Sequence, residues 1–279
     1  MTAPIQPNAI AWQPLTPRGV AAFAFATCRR LLLVQFLVAL AAAGTIAWIL
    51  AQHWVPVIRT AIGELPEQGR IANGRLEWPG KPSQLLAESS FLAVSVDLNH
   101  SGATRSPAHL EIEFGRSELQ LHSLLGYYAP FPYPQSVDVP FNRPSLEPWW
   151  GAWSPVFVGL IAFASAAALL LSWTLLATIY TPIVWLVALY GNRELSLRRS
   201  WKLAGAALMP GALWEIGILA GYSLGRLDLV PFLAATSAHV VIGWLFLLLS
   251  PWSLARAASS NVNRGNPFVA DRPARMDRN

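Results

Sequence analysis

The sequence predicts an α-helical integral membrane protein with four transmembrane helices and a small β-rich extracytoplasmic domain inserted after the first of them. Three observations lead to this fold class. Of the 279 residues, 54% are apolar and only 13% are charged, about half the charged fraction of an average soluble domain. Several uncharged apolar runs reach the roughly 20 residues that a helix needs to cross a bilayer. Most of the alternating patterns typical of strands fall within residues 55–150.

This composition excludes a disordered chain, which would be charge-rich and poor in apolar residues, and it excludes a simple soluble enzyme. The single cysteine, Cys28, excludes an intramolecular disulfide framework. No Cys/His spacing is that of a structural zinc site, and the common nucleotide-binding and hydrolase motifs are missing from the sequence. The sequence therefore gives no positive indication of catalysis, a cofactor or a bound metal.

The first predicted transmembrane helix covers residues 29–54. Its apolar part, 31–50, has the length of one crossing and directly follows Arg29 and Arg30. A cleaved signal peptide is the alternative interpretation, because residues 41–44 resemble a cleavage site. The long polar segment before the apolar run, and the continuation of that run beyond this site, favour an uncleaved anchor.

Residues 1–28 are predicted to be a cytoplasmic segment with a short interfacial helix. Thr16 is the expected N-cap of this helix and Pro17 its first residue. The helix is one candidate to cover the apolar residues 183–190, which follow the second crossing.

The second transmembrane helix is predicted within residues 151–191. Residues 155–190 carry no charge, and such a helix would be roughly 54 Å long, nearly twice the apolar thickness of a bilayer. The run is therefore one crossing with an extension, or two crossings with a tight turn. The basic cluster that follows favours one crossing, because such clusters stay on the cytoplasmic side. Residues 178–190 then form an apolar inner extension, bent at Pro182.

Residues 203–250 are predicted to form a hairpin of the third and fourth transmembrane helices. The two apolar runs, 203–224 and 229–250, are joined by the short turn 225–228, so the helices are expected to be antiparallel neighbours. Pro210 is expected to bend the third helix.

The basic residues predict the orientation in the membrane. Residues 192–202 are predicted to be a cytoplasmic loop in which Arg198, Arg199 and Lys202 contact lipid headgroups. Residues 251–279 are predicted to be a disordered basic cytoplasmic tail. The proposed inner side carries 12 basic and 3 acidic residues. This asymmetry predicts a multi-pass protein of a bacterial inner membrane with both termini in the cytoplasm.

The predicted outer domain, residues 55–150, contains 11 of the 22 prolines, together with 10 acidic and 7 basic side chains. Alternation of apolar and polar residues predicts half-buried strands in it. A polar hairpin loop at 99–107 and a tight turn at Gly115 are expected to connect them. Strands are predicted at 71–78, with a bulge or turn at Asn73-Gly74, and at 92–98, 110–114 and 118–122.

The proline-rich stretch 127–134 is not predicted to be a central strand, because proline donates no hydrogen bond to a neighbouring strand. It is predicted to be an extended aromatic loop that covers the small sheet. The alternative is a loop that rests on the membrane or docks a partner. The residues that would make such contacts are Tyr127, Tyr128, Phe131 and Tyr133.

Two ionisable residues interrupt the last two apolar runs at the same depth. Glu215 lies 11 residues before Arg226, and His239 lies 11 residues after Asp228. At 1.5 Å per residue, both lie roughly 16 Å deep, near the bilayer midplane. The pair is expected either to form a structural hydrogen bond between helices or to act as a proton or cation relay. The structural bond is favoured, because a relay usually needs more than one such pair.

A second polar group is expected in the outer domain. His109, Glu111 and Glu113 share one face of a strand, and His122 could pair across the turn. These side chains could in principle bind a divalent metal, but the ligand set is loose. A solvated strand face is the favoured interpretation.

The order of elements and three short motifs resemble a family of bacterial multi-span membrane proteins with an extracytoplasmic domain after the first helix. The chain is more distantly similar to Yip1-type proteins, which have five crossings where four are counted here. The resemblance implies no reaction and no catalytic residue. The motifs are Leu65-Pro66 with Gly69 and Asn73-Gly74, then Val94-Ser95-Val96-Asp97, then Leu195 to Lys202 followed by Pro210.

The function expected from the sequence is a non-enzymatic binding, sensing or assembly role, with the outer domain as the recognition surface. The alternative is a proton- or ion-linked transporter or channel subunit that uses Glu215 and His239. A metal-dependent enzyme on the outer face is the weakest hypothesis. The expected partners are the lipid bilayer and a protein partner or second copy. Nucleic acid is not expected, because the basic excess is spread over short loops and a tail.

Overall fold

The computed structural model describes residues 12–256. Within this range, four helical segments are long and apolar enough to cross a membrane, and a small β domain follows the first of them. The predicted combination of apolar helices and a β domain is thereby confirmed. The four segments are Cys28–Gly63, Arg143–Tyr190, Leu197–Ser223 and Leu229–Ser253.

The first long segment begins earlier and ends later than predicted. Helix α2 (Cys28–Ile49) passes through one π-helical turn (Leu50–Trp54) into α3 (Val55–Gly63). The wider turn is explained by Pro56, which has no N–H for the usual bond to the residue four positions earlier. As a result the helix extends nine residues into the segment assigned to the outer domain.

Residues 155–190 belong to one continuous helix, α4 (Arg143–Tyr190), which has 48 residues. Asn142 caps it by accepting a hydrogen bond from the backbone N–H of Ser145 at 3.1 Å. The helix therefore begins eight residues before the predicted boundary at 151, and it continues through Pro182. Its length is roughly 72 Å, more than twice the roughly 30 Å apolar thickness of a bilayer.

The third apolar segment consists of two helices, α5 (Leu197–Ala207) and α6 (Met209–Ser223). They are separated at Leu208, and Pro210 lies in the first turn of α6, where its missing N–H costs nothing. The prediction of a basic loop over 192–202 is wrong beyond residue 196. Ser196 caps α5 by accepting a hydrogen bond from the N–H of Arg199.

Helix α7 (Leu229–Leu249) returns antiparallel beside α6. The indole N–H of Trp214 donates to the carbonyl of Ala235 at 2.8 Å. Nearer the start of α6, Gly211 lies directly against the backbone carbonyl of His239. Later residues of α6 therefore contact earlier residues of α7, as expected for the predicted antiparallel hairpin.

The short helix α1 (Pro17–Ala22) is buried rather than spread on a surface. Thr16 caps it by accepting a hydrogen bond from the N–H of Gly19 at 3.0 Å. Its apolar side chains pack in one core with Val184 and Ala188 of α4. The N-terminal segment therefore covers one face of the extension at 183–190. Residues 1–11 lie outside the described residues.

The residues after α7 return to the same core. Residues Ser250–Ser253 form a 3₁₀ turn, and Leu254 is buried in the core with α1. The guanidinium of Arg193 donates to the carbonyl of Leu254. Residues 251–256, assigned above to a disordered tail, are therefore ordered by packing. The remainder of that segment, 257–279, lies outside the described residues.

Two sheets form the outer domain. The main sheet has the strand order β3-β4-β5-β6-β7, and a smaller sheet has the order β2-β1-β8. Strands β3 and β8 were not predicted from the sequence. The strands are β1 (Arg70–Ala72), β2 (Arg75–Glu77), β3 (Ser83–Glu88), β4 (Leu92–Asp97), β5 (Leu110–Phe114), β6 (Glu118–Ser123), β7 (Tyr128–Pro132) and β8 (Val139–Pro140).

Strands β4 and β5 are parallel, with Leu92 opposite Leu110 and Val96 opposite Phe114. The prediction of a hairpin loop at 99–107 is therefore wrong. Parallel neighbours need a connection that returns the chain to the starting end of the sheet. Residues 98–109 make this connection, which we call the crossover. The predicted turns at Asn73-Gly74 and Gly115 do connect antiparallel strands.

One face of the main sheet packs against the helices and forms the apolar core of the outer domain. Leu86, Val94 and Ile112 on this face contact Ile62 of α3 and Trp150 of α4 through a single cluster. The sheet is therefore held against the end of the first long helical segment and the beginning of α4.

The stretch predicted as an aromatic loop contains the edge strand β7, which pairs with β6. The backbone N–H of Tyr133 donates to Ser117 at 3.0 Å, so the odd-numbered residues bond to β6. Pro130 and Pro132 consequently face outward, where no N–H is needed. The loop prediction is wrong because prolines exclude a strand only from the centre of a sheet.

Candidate functional site

A cavity of about 240 Å³ lies among the apolar helices α2, α4, α6 and α7. Its wall is mostly apolar, with contributions from Ala42 and Ile46 of α2. Both ionisable residues of the last hairpin open into it. Ligand sites are typically apolar cavities with a few convergent polar groups, and this cavity has that composition. The distinctive lining residues are Trp173, Tyr180, Glu215, His239 and Trp244.

The structure brings Glu215 and His239 together but without a direct hydrogen bond. The Nδ1 atom of His239 is 3.8 Å from Oε2 of Glu215, which is longer than a hydrogen bond. His239 instead donates from Nδ1 to the backbone carbonyl of Thr236. The hydroxyl of Thr236 donates to Oε1 of Glu215 at 3.2 Å. Thr236 therefore links the two side chains.

One carboxylate oxygen of Glu215 is left over. Its Oε2 atom is buried and has no hydrogen-bond partner among residues 12–256. A buried carboxylate oxygen without a hydrogen-bond partner costs more than a neutral one, for which the penalty is about 1–3 kcal/mol. The Oε2 atom of Glu215 could therefore accept a hydrogen bond from a bound donor or pair with a bound cation.

Aromatic rings form part of the cavity wall, and they were not predicted from the sequence. The rings of Tyr180 and Trp244 have centroids 5.3 Å apart, and Trp173 is almost fully buried. Trp173 and Tyr180 are seven residues apart in α4, which places them on one face of the helix. That spacing was the available signal.

The three basic residues Arg198, Arg199 and Lys202 lie in different surroundings. Lys202 is only 8% exposed, and its Nζ donates to the carbonyl of Ala26 at 2.6 Å. The prediction that Lys202 contacts lipid headgroups is therefore wrong, because α5 turns this side chain into the core. Arg198 and Arg199 are exposed, and the guanidinium of Arg199 lies 5.2 Å from the ring centroid of Phe25.

The second face of the main sheet is polar but buried, so the prediction of a solvated strand face is wrong. Glu111 and Glu113 are 2% and 1% exposed. Residues of the crossover lie over this face and bond to it. The N–H of Ser106 points to Glu111 at 3.4 Å, and Nδ1 of His100 is 2.6 Å from Glu113.

This covered face is a network of hydrogen bonds rather than a metal site. Ser95 donates to Glu111 at 2.8 Å, and Nε2 of His122 is 3.6 Å from Glu113. Burial, with a contribution from Arg105, lowers the pKa of His122. Among residues 12–256, no group of three or more His, Cys, Asp or Glu side chains has the arrangement of a metal site.

A third cluster joins the β domain to the ends of the apolar helices that lie nearest to it. The hydroxyl of Tyr222, in the last turn of α6, is 2.6 Å from Nε2 of His109. His53, in the π-helical turn, is 2.8 Å from the hydroxyl of Ser223 and stacks on Phe91. Burial lowers the pKa of His109. We call these five residues the docking cluster.

The four predicted loop residues are divided by the edge strand. Tyr127, Tyr128 and Phe131 are exposed. Tyr133 instead packs against the apolar core, and its hydroxyl donates to the carbonyl of Gly115 at 3.1 Å. Burial raises the pKa of the Tyr133 phenol. Tyr133 therefore supports the sheet and does not belong to an exposed surface.

No family model, curated protein or solved structure matches the chain significantly.

Proposed function

We propose that the chain is a non-enzymatic binding protein of a bacterial inner membrane, with both termini cytoplasmic. Its intramembrane cavity binds a small apolar molecule that carries a cationic amine. The observation that carries this proposal is the buried, unpartnered Oε2 atom of Glu215, which opens into an apolar cavity.

The chemistry of the wall selects the ligand class. An ammonium group can supply the missing hydrogen bond and neutralise the carboxylate, and such charged hydrogen bonds are about twice as strong as neutral ones. The rings of Tyr180 and Trp244 can add attraction through their π faces. The apolar remainder of the cavity favours a ligand without further polar groups. A volume of about 240 Å³ is below the range for drug-sized ligands, about 300–1,000 Å³.

The outer domain has a natural place in this proposal. The docking cluster connects it to Tyr222 and Ser223 of α6, the helix that also carries Glu215. A ligand that shifts α6 therefore changes the support of the outer domain. The sensing role expected from the sequence would arise in this way.

Glu215→Gln tests the proposal. Binding of benzylamine to the purified full chain in detergent is compared with binding of benzyl alcohol, its neutral counterpart. The unmodified protein is expected to bind the amine at least about tenfold more tightly, which corresponds to about 1.4 kcal/mol. Glu215→Gln is expected to remove this preference, because the amide carries no charge.

The matched control is Glu194→Gln, which removes one exposed carboxylate and should leave the preference unchanged. Equal affinity for amine and alcohol in the unmodified protein would contradict the proposal, as would an amine preference that survives in Glu215→Gln.

A second candidate function is proton-linked transport. The observation in its favour is the 3.8 Å separation of His239 and Glu215, close enough for a small rearrangement to pass a proton between them. Proteoliposomes distinguish the two functions. Proton uptake that needs both Glu215 and His239 would favour transport, whereas amine binding without proton movement favours the binding protein.

A further inference from the structure

The turn between β6 and β7 lies beside the outer ends of the membrane helices. The backbone N–H of Leu124 donates to the carbonyl of His109 at 3.0 Å. The ring of the same histidine is hydrogen-bonded to Tyr222, one residue before the end of α6. This turn, residues 123–127, is therefore separated from a membrane helix by a single residue.

The side chains of this turn are apolar and unusually exposed. Leu124, Leu125 and Tyr127 are 47%, 72% and 71% exposed. Single exposed leucines are common on soluble domains, but here three large apolar side chains lie within four residues. No charged residue occurs between 123 and 134.

The nearby helix turn has the same character. Leu224 and Val230, which flank the turn between α6 and α7, are strongly exposed. The contacts of His109 with Leu124 and Tyr222 place both turns at the same end of the helical bundle. With α6 and α7 in a membrane as proposed above, both turns lie near the level at which aromatic and aliphatic side chains enter the interfacial layer of a bilayer.

We propose that the β6–β7 turn inserts into the outer interfacial layer of the membrane, with Leu125 and Tyr127 as the inserted side chains. The occupant is lipid rather than another strand, because Pro130 and Pro132 leave the outer edge of β7 without the N–H groups that strand addition needs. The outer domain is then held to the membrane at two points, the docking cluster and this turn. The inference rests on the membrane location proposed above and is independent of the cavity ligand.

A single fluorescent label tests the insertion. The natural cysteine is first removed by Cys28→Ser. Cysteine is then introduced in separate full-length variants by Leu125→Cys, Leu224→Cys and Ser117→Cys, and each is labelled with nitrobenzoxadiazole. The variants are reconstituted into phosphatidylcholine bilayers with and without lipid bearing a nitroxide near the carbonyl end of its acyl chain.

The label at Leu125 is expected to be quenched by the nitroxide lipid as strongly as the label at Leu224, with emission shifted to the blue. Ser117 is an exposed residue at the opposite end of the sheet. A label at this position should not be quenched by the nitroxide lipid. Strong quenching at Leu224 but not at Leu125 would overturn the insertion. Quenching at neither site would instead contradict the membrane location itself.

A protein partner or a second copy on this turn gives a different result. The label at Leu125 would then be protected from aqueous iodide without being quenched by the nitroxide lipid, and this outcome also overturns the proposal. In the supporting case, Leu125→Glu, made in a Tyr127→Cys background with the label at that position, should reduce lipid quenching. Leu85→Glu, at another exposed leucine of the sheet, is the matched control and should not.

Discussion

Asp97→Asn is expected to lower the free energy of unfolding of the outer domain by about 3 kcal/mol. The carboxylate is fully buried at the end of β4, where the crossover begins. It accepts hydrogen bonds from the hydroxyls of Ser83 and Ser101 at 2.9 and 2.8 Å and from the N–H of Gly102 at 2.9 Å. An amide presents an N–H₂ group to at least one of these donors, which then remains unpaired.

The measurement is thermal unfolding of the full chain, combined with amide hydrogen exchange in β3, β4 and the crossover. Asp138→Asn is the control, because that carboxylate is exposed and its ion pair with Arg70 is long, at 4.0 Å. Its effect should stay within about 0.5 kcal/mol. Equal effects of the two substitutions would show that the contacts of Asp97 do not hold the crossover.

The same residue predicts an acid dependence. Burial alone would raise the pKa of Asp97, but the hydrogen bonds from Ser101, Ser83 and two backbone N–H groups outweigh burial and hold the pKa below its ordinary value. Stability from such a group is complete above the unfolded pKa, about 3.9, and is lost as the pH falls through the folded pKa. Near pH 3, the free energy of unfolding of the outer domain should therefore change less with pH in Asp97→Asn than in the unmodified chain.

Gly211→Ala is expected to destabilise the packing of α6 on α7 by about 1–3 kcal/mol. A Cβ at this position would lie 2.5 Å from the backbone carbonyl oxygen of His239, and a backbone atom cannot rotate away. The helices would have to separate at the level of the cavity, which also weakens the bond between Thr236 and Glu215. Thermal unfolding in detergent, followed by circular dichroism, measures the loss.

Gly217→Ala is the matched control on the same helix. A Cβ at Gly217 meets no atom within 4 Å, so the higher helix propensity of alanine should stabilise the helix by up to about 1 kcal/mol. The two substitutions should therefore shift the unfolding temperature in opposite directions. A common direction would mean that helix propensity, rather than the close approach at Gly211, determines the result.

The helical part of the fold could be predicted because its signals are local. Uncharged runs of 20 or more residues identify membrane helices almost independently of tertiary contacts. Thr16 and Pro17 marked the start of α1 correctly. The ends of the long helices were missed, because α3 and the first turns of α4 are stabilised by packing on the sheet, which no local pattern shows.

The β domain was predicted less well because its key features are non-local. Alternation located β4, β5 and β6, but alternation gives no information about whether two strands are parallel. The burial of Glu111 and Glu113 depends on that same parallel pairing, because it sends the crossover over the polar face. Polar residues at every second position occur both on a sheet face exposed to water and on a face covered by another polar segment. The pattern alone therefore could not predict that this face is covered.

The candidate cavity could be predicted in part, less well than the helices and better than the β domain. Counting from the turn placed Glu215 and His239 at one depth, and the structure brings them within 3.8 Å. Their actual link through Thr236 depends on helix rotation, which the count does not give. The aromatic wall from Trp173 and Tyr180 was encoded by a seven-residue spacing, but among many apolar residues this spacing carried little weight.

The length of α4 has a mechanical consequence. This one continuous helix contacts the main sheet through Trp150, the cavity through Trp173 and the core around α1 through Val184. A helix bends far less easily than a loop, except where a proline removes a backbone hydrogen bond, as Pro155 and Pro182 do on either side of Trp173. The part of α4 that lines the cavity is therefore expected to move as one stiff segment, with any bending concentrated at these two prolines.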